Sequence, residues 1–186
     1  APIGRAWELF NDLEQVIPGA ARGCWFLQGQ NCMAATRLFV HEKVHDRVVD
    51  GIAAIAKSMK LGPGLDPESN FGPLISAQQR ERVAGFVEAG RREGGDLVYG
   101  GGSPSRPGYF FEPTLFANMR PEMTPVKSEI FGPVLPVLTY RSLDQAFDIV
   151  RTFEKPLACY VFRWSRCAAA PRPGPRRRGA SGCARP

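Results

Sequence analysis

The apolar residues of this chain change spacing repeatedly along its length, and that alternation limits what it can fold into. Leu38-Phe39-Val40 is a short continuous apolar run, the pattern of a buried strand. Directly after it, Val44, Val48, Val49, Ile52, Ile55, Ala56 and Met59 recur at helical spacing and predict a long amphipathic helix, ended by Leu61-Gly62-Pro63-Gly64. Pro67 to Pro73 reads as a loop. Ser76 is a cap for a second helix, with Val83, Phe86 and Val87 inward and a stop near Gly94-Gly95. Leu97-Val98-Tyr99 predicts a brief strand, Gly100 to Gly108 a flexible surface loop, and Tyr109 to Leu115 a strand. Pro113 argues that this last strand lies at an edge or stops there. Val134 to Tyr140 is the longest strand-like run, and Pro136 again points to an edge or an irregularity.

Both ends of this region carry helix-start signals. Asp12-Leu13-Glu14-Gln15 and Ser142-Leu143-Asp144-Gln145 have the form of capping boxes. The first predicts a helix to Gly23 or slightly beyond, weakened by Pro18-Gly19. The second predicts a helix whose inward face is Leu143, Ala146, Phe147 and Val150, with Cys159-Tyr160-Val161-Phe162 as a last strand. Helices and strands alternating at this spacing predict a layered α/β domain.

The 186 residues, 44% of them hydrophobic, are enough for one core. No run approaches the ~18–20 apolar residues of a membrane span, so no membrane partner is expected, and no basic-then-apolar secretory signal is present. The chain opens at Ala1 without an initiator Met and reads like the interior of a domain, so further N-terminal sequence is expected. The net charge of +6 comes from the end of the chain. Residues 166 to 186 hold six arginines and no acid; without them, 18 basic residues face 18 acidic ones. The body is neutral and gives no reason to expect a nucleic-acid partner. The expected division is therefore a domain over residues 1–165 and a disordered Arg/Pro-rich tail over 166–186. Five cysteines, at 24, 32, 159, 167 and 183, fit no zinc spacing and no even disulfide set. A reducing, cytoplasmic compartment follows, with no metal site expected.

Chemistry is concentrated in Gly29-Gln30-Asn31-Cys32, a glycine-polar turn that would expose a thiol. A cysteine nucleophile must be reachable and partly ionised. A position near a helix start would help, because free backbone N–H groups lower the thiol pKa and stabilise an oxyanion. The second segment is Glu129-Ile130-Phe131-Gly132-Pro133, in which a rigid turn presents a carboxylate able to accept paired hydroxyl hydrogen bonds. A protease-like reading of Cys32 would need His41 or His45 as base. These two lie four apart around Glu42, but His41 follows a strand-like run and no third metal ligand is evident.

Five collinear stretches carry a resemblance to the NAD(P)-dependent aldehyde dehydrogenase superfamily: Phe26 to Arg37, Leu61 to Asp66, Phe71 to Ile75, Gly108 to Leu115 and Glu129 to Val134. The resemblance runs from about residue 8 to about residue 164. It implies much of the three-layer, Rossmann-like catalytic domain of that fold, though incomplete. It implies an aldehyde substrate, NAD or NADP as cofactor, and oxidation to a carboxylic acid through a thiohemiacetal and thioester on Cys32. It implies that Glu129 holds the nicotinamide-side ribose and that Phe131 packs near the nicotinamide ring. It also implies a homo-oligomer or association with a full-length relative.

Departures from the family pattern accompany the matches. Its Glu-Leu-Gly-Gly general-base segment is not found, since Glu8-Leu9 is followed by Phe10-Asn11 and lies too near Cys32. The family's Asn-x-x-x-x-Gly-Leu segment corresponds to Arg151 to Leu157, where the asparagine and glycine are absent. An alternative reading follows: a catalytically inactive truncated homologue with a structural or interaction role.

Overall fold

The computed structural model describes residues 13–153 and 157–162. The element order is α1 (Leu13–Trp25), β1 (Leu38–His41), α2 (His45–Ser58), α3 (Ala77–Arg92), β2 (Asp96–Tyr99), β3 (Thr114–Ala117), α4 (Thr124–Lys127), β4 (Val134–Tyr140) and α5 (Leu143–Arg151). Short 3-10 turns cover Phe26–Gly29 and Glu42–Val44.

The four strands form one sheet in the order β1-β4-β3-β2. β4 runs parallel to both β1 and β3, and β2 closes the edge antiparallel to β3. Alternate residues of the central strands face opposite layers, as the period of two requires. Leu115, Ala117, Leu135 and Val137 pack with α1 and α2, through Ala20, Ala21, Val48, Ile52 and Ala56. Phe116, Val134 and Leu138 pack on the other side with Val83 and Val87 of α3 and Val126 of α4. Helices on both faces give the expected three layers and explain why β3 is buried throughout.

α1 continues through Pro18 to Trp25. The ring removes one helical hydrogen bond, yet burial of Leu13, Ala20, Ala21, Cys24 and Trp25 keeps the helix in place. Asp12, its expected cap, lies outside the described residues, as does the expected tail over 166–186. Ser76 caps α3 as anticipated, its hydroxyl accepting from the Gln79 N–H at 3.1 Å. Ser142 does the same for Gln145 at 3.2 Å, while the Gln145 carboxamide oxygen accepts from Arg141 N–H at 2.8 Å, one residue before the cap.

Several expectations are corrected. The strand expected over 109–115 lies at Thr114–Ala117 instead, because Pro113 blocks pairing before it. Pro136 is not at an edge: β4 lies between β1 and β3. It sits at a hand-over, since the ladder to β3 ends at Pro136 and the ladder to β1 begins at Val137. The glycines at 100–102 are packed rather than free. Gly100 has φ +73, and a Cβ there would lie 2.2 Å from the Pro113 carbonyl oxygen; Gly101 N–H donates to Thr114 Oγ1. Residues 157–162 form no strand. The apolar residues Leu143, Phe147 and Val150 of α5 are exposed, and only Ile149 of that helix packs on the core with Phe153.

Candidate active site

Cys32 lies in a turn between the Phe26–Gly29 3-10 segment and β1, and its thiol is exposed. The turn is built by Asn31. Its carbonyl accepts from Ala34 N–H at 3.0 Å, and its side-chain oxygen accepts from Met33 N–H at 3.0 Å with Cys32 Sγ 3.8 Å away. Asparagine favours this arrangement because its short amide mimics a turn of backbone. The turn leads into β1 and not into a helix start. The N–H of Met33 and Ala34 are taken, whereas the Cys32 N–H has no acceptor among the described residues.

The backbone leading into the turn is strained. Leu27 (φ 53), Gln28 (φ 56) and Gly29 (φ 70) are successively left-handed, a conformation costly for the first two. Several contacts hold it. Gly29 lies against the Gly132 carbonyl, so close that a Cβ at residue 29 would be 2.2 Å from that oxygen. The Gln30 side-chain oxygen accepts from Ile75 N–H at 2.9 Å. Ala35 N–H donates to the Gly23 carbonyl of α1 at 2.8 Å, and Tyr160 OH donates to the Met33 carbonyl at 3.0 Å.

The second site segment is thereby drawn to the first. Glu129 is exposed, and its carboxylate makes no hydrogen bond among the described residues. Phe131 is 37% exposed and left-handed (φ 56), a strained conformation for an aromatic residue. Its turn is clamped from α3. Gln79 Nε2 donates to the Ile130 and Phe131 carbonyls at 3.1 and 2.8 Å, and Arg82 donates to the carbonyls of Glu129, at 2.7 Å, and Ile130. Gly132 sits against Val83 of the same helix. Arg37, downstream of Cys32, donates to the Val126 and Lys127 carbonyls; burial lowers its pKa, and the Glu129 charge opposes that shift.

Gln79, Arg82, Arg37 and Tyr160 were not singled out by sequence reasoning. Gln79 and Arg82, at helical spacing i, i+3 on the same side of α3 as the inward Val83 and Val87, are the legible hint; Tyr160 carries none. Cys24 is the opposite of Cys32: fully buried, its thiol is pushed up to about 12 by desolvation, with Sγ 3.7 Å from the Val134 carbonyl. His41 is occupied in capping, its Nδ1 accepting from Lys43 N–H at 3.2 Å, and His45 starts α2 with Nδ1 2.8 Å from Asp46. They end a strand and begin a helix, so no shared helical face presents them. Two open clefts, one beside Asn118 and Asp148 and one beside Arg80 and Arg106, are not lined by Cys32, Glu129 or Phe131.

Fold and site define a class: an α/β/α domain that presents an exposed thiol on a braced turn beside a clamped carboxylate-bearing turn. The chain belongs to the aldehyde dehydrogenase family, whose sequence profile matches residues 9–169. It is 42% identical to aldehyde dehydrogenase 1A1 of Oryctolagus cuniculus, over 81% of this chain and 30% of that protein. A mutant of the aldehyde dehydrogenase from Bacillus cereus superposes with a TM-score of 0.81 at 40% identity, covering 83% of this chain and 32% of the other. An NAD+ complex of an aldehyde dehydrogenase from the same organism superposes at 0.74 and 42% identity, over 76% and 29%. The chain thus spans about a third of the length of these relatives.

Proposed function

We propose that this chain carries the thiol-bearing part of an NAD(P)-dependent aldehyde dehydrogenase, with Cys32 as nucleophile. The observation that carries the reading is the seating of the Cys32 turn against Gly132 through Gly29, which links the exposed thiol to the Glu129–Pro133 turn. The Cys32 thiolate attacks the aldehyde carbon. A C–S bond forms, and the carbonyl π pair moves to oxygen. The free Cys32 N–H is available to that oxyanion, and such a donor is worth roughly 3 kcal/mol when water is excluded. Oxidation of the thiohemiacetal carbon would need NAD(P)+ as hydride acceptor and would leave a thioester on Cys32; attack of water on that thioester would release the carboxylic acid and return the thiol.

The cofactor test is a matter of donor and acceptor chemistry. A ribose diol offers two O–H donors, and the Glu129 carboxylate offers two unengaged acceptor oxygens on a turn held by Arg82 and Gln79. Phe131 adds a partly exposed apolar ring beside it. These residues fit the nicotinamide riboside end of NAD or NADP, Glu129 taking the hydroxyls and Phe131 flanking the ring. When bound, NAD(P)+ supplies the hydride acceptor.

The test is covalent labelling. The purified chain is incubated with an activated ester, digested and examined by mass spectrometry. The expected result is acylation of Cys32 and its loss in Cys32→Ala; equal labelling of both proteins sinks the assignment. Glu129→Gln is expected to weaken NAD+ or NADP+ binding in calorimetry, and unchanged affinity would remove Glu129 from the cofactor site.

A further inference from the structure

A shallow, open depression lies between the first turn of α3 and the loop at 103–108, lined by Arg80, Ser103, Pro104, Ser105, Arg106 and Pro107. None of these residues takes part in the site above. Two arginines line it, and neither forms an ion pair with a carboxylate among the described residues. Each is held by neutral partners instead. Arg80 Nη1 donates to the Gly108 carbonyl at 3.2 Å, with its guanidinium 6.0 Å from the Tyr109 ring centroid. Arg106 Nη1 donates to the Leu61 carbonyl at 3.0 Å and stacks over Phe110 at 4.5 Å. One amino group of each fork is anchored, and the remaining N–H donors have no acceptor among the described residues. The acid in electrostatic reach of Arg106 is Asp66, whose oxygens already accept from Glu68 N–H and Ser69 Oγ.

The loop that carries Arg106 is conformationally restricted. Pro104 and Pro107 fix φ at two of its positions. Arg106 N–H donates to the Pro104 carbonyl at 2.9 Å, and Leu74 N–H to the Tyr109 carbonyl at 2.9 Å. Gly108 (φ +112) turns the backbone so tightly against the Phe110 ring that a Cβ would lie 2.5 Å from it. The Ser103 and Ser105 hydroxyls line the depression, and neither has a hydrogen-bond partner among the described residues. Guanidinium forks with unused N–H donors, beside hydroxyls without a partner among the described residues, suit a tetrahedral oxyanion, whose several oxygens accept forked donors. The bonds to the Gly108 and Leu61 carbonyls restrict the two side chains, which reduces the ordering entropy that opposes binding.

We propose that Arg80, Arg106, Ser103 and Ser105 form a binding site for a phosphoryl dianion, either inorganic phosphate or the phosphate group of a small phosphomonoester. The inference is independent of the dehydrogenase reading.

The experiment is isothermal titration of the purified 186-residue chain with inorganic phosphate and, separately, phenyl phosphate, at ionic strength held constant with sodium chloride. Saturable binding of either probe is expected, weakened at least roughly tenfold in Arg80→Ala/Arg106→Ala. Tighter binding of phenyl phosphate assigns the site to a phosphomonoester, and equal or tighter binding of phosphate to the inorganic ion. Because Arg106 also packs on Phe110, urea denaturation checks that the variant folds. Ser103→Ala/Ser105→Ala removes only exposed hydroxyls and is expected to weaken binding several-fold by itself. Absence of saturable binding with both probes, or affinity unchanged in a folded double-arginine variant and in the double-serine variant, would overturn the proposal.

Discussion

Gly29 and Gly132 pack backbone to backbone, 103 positions apart in the sequence, with room for no side chain between them: a Cβ on Gly29 would lie 2.2 Å from the Gly132 carbonyl oxygen. Gly29 also has φ +70, so both its conformation and its contact select glycine. Gly29→Ala is expected to destabilise the protein by about 2 kcal/mol or more, from left-handed strain and the clash together. Urea denaturation measures it, and a loss below about 0.5 kcal/mol would mean the two turns do not meet this closely.

Arg82 supports the Glu129–Phe131 turn from α3 without touching the Glu129 carboxylate. Arg82→Ala is expected to leave the global denaturation midpoint within about 1 kcal/mol of the parent, because the side chain is partly solvated. It is expected to raise amide hydrogen exchange across residues 129–132, where Phe131 is held in a left-handed conformation. Unaltered exchange there would show that Gln79 and Gly132 packing suffice.

Tyr160 is the distant partner of the Cys32 turn. Tyr160→Phe keeps the ring and deletes the hydroxyl that donates to the Met33 carbonyl. The rate of Cys32 alkylation by iodoacetamide, read peptide by peptide, is expected to change by at least about twofold, while Cys159 alkylation stays within that range. Equal Cys32 rates in both proteins would mean that Asn31 alone sets the turn.

Cys24 makes stability fall in alkali. Burial raises its folded pKa from 9.0 to about 12. The folded state keeps the proton where the unfolded chain releases it, so the contribution is complete below pH 9 and is lost as pH rises from there towards 12. Urea midpoints between pH 8 and pH 11 are expected to fall less steeply in Cys24→Ala than in the parent, whatever the cost of the cavity. Parallel slopes would remove Cys24 as the titrating group.

Much of the layering was legible because burial leaves a periodic mark. Val48, Val49, Ile52 and Ala56 are the buried face of α2, as their spacing required, and Ser76 caps α3 because serine at that place satisfies a free N–H. Local pattern misled where it depended on neighbours. Pro136 suggested an edge, but a partner exchange on either side of it admits proline to the central strand. The apolar stripe of α5 suggested an inward face, yet Leu143 and Phe147 are exposed because periodicity records which residues share a face and not what covers it.

For the site, the sequence alone determined the candidate groups and the glycine before them: Cys32 in a polar turn, Glu129 and Phe131 before a proline, and a motif order that matches the family. Only the tertiary structure decided that the two segments touch through Gly29 and Gly132, that the cysteine turn is closed by Asn31 and not by a helix, and that Gln79, Arg82 and Tyr160 hold the two turns. The reason is physical. Side-chain chemistry and local backbone preference are properties of a few consecutive residues. A carbonyl clamped by an arginine some 47 positions away is set by how sheet and helices pack, and no short window of sequence contains that information.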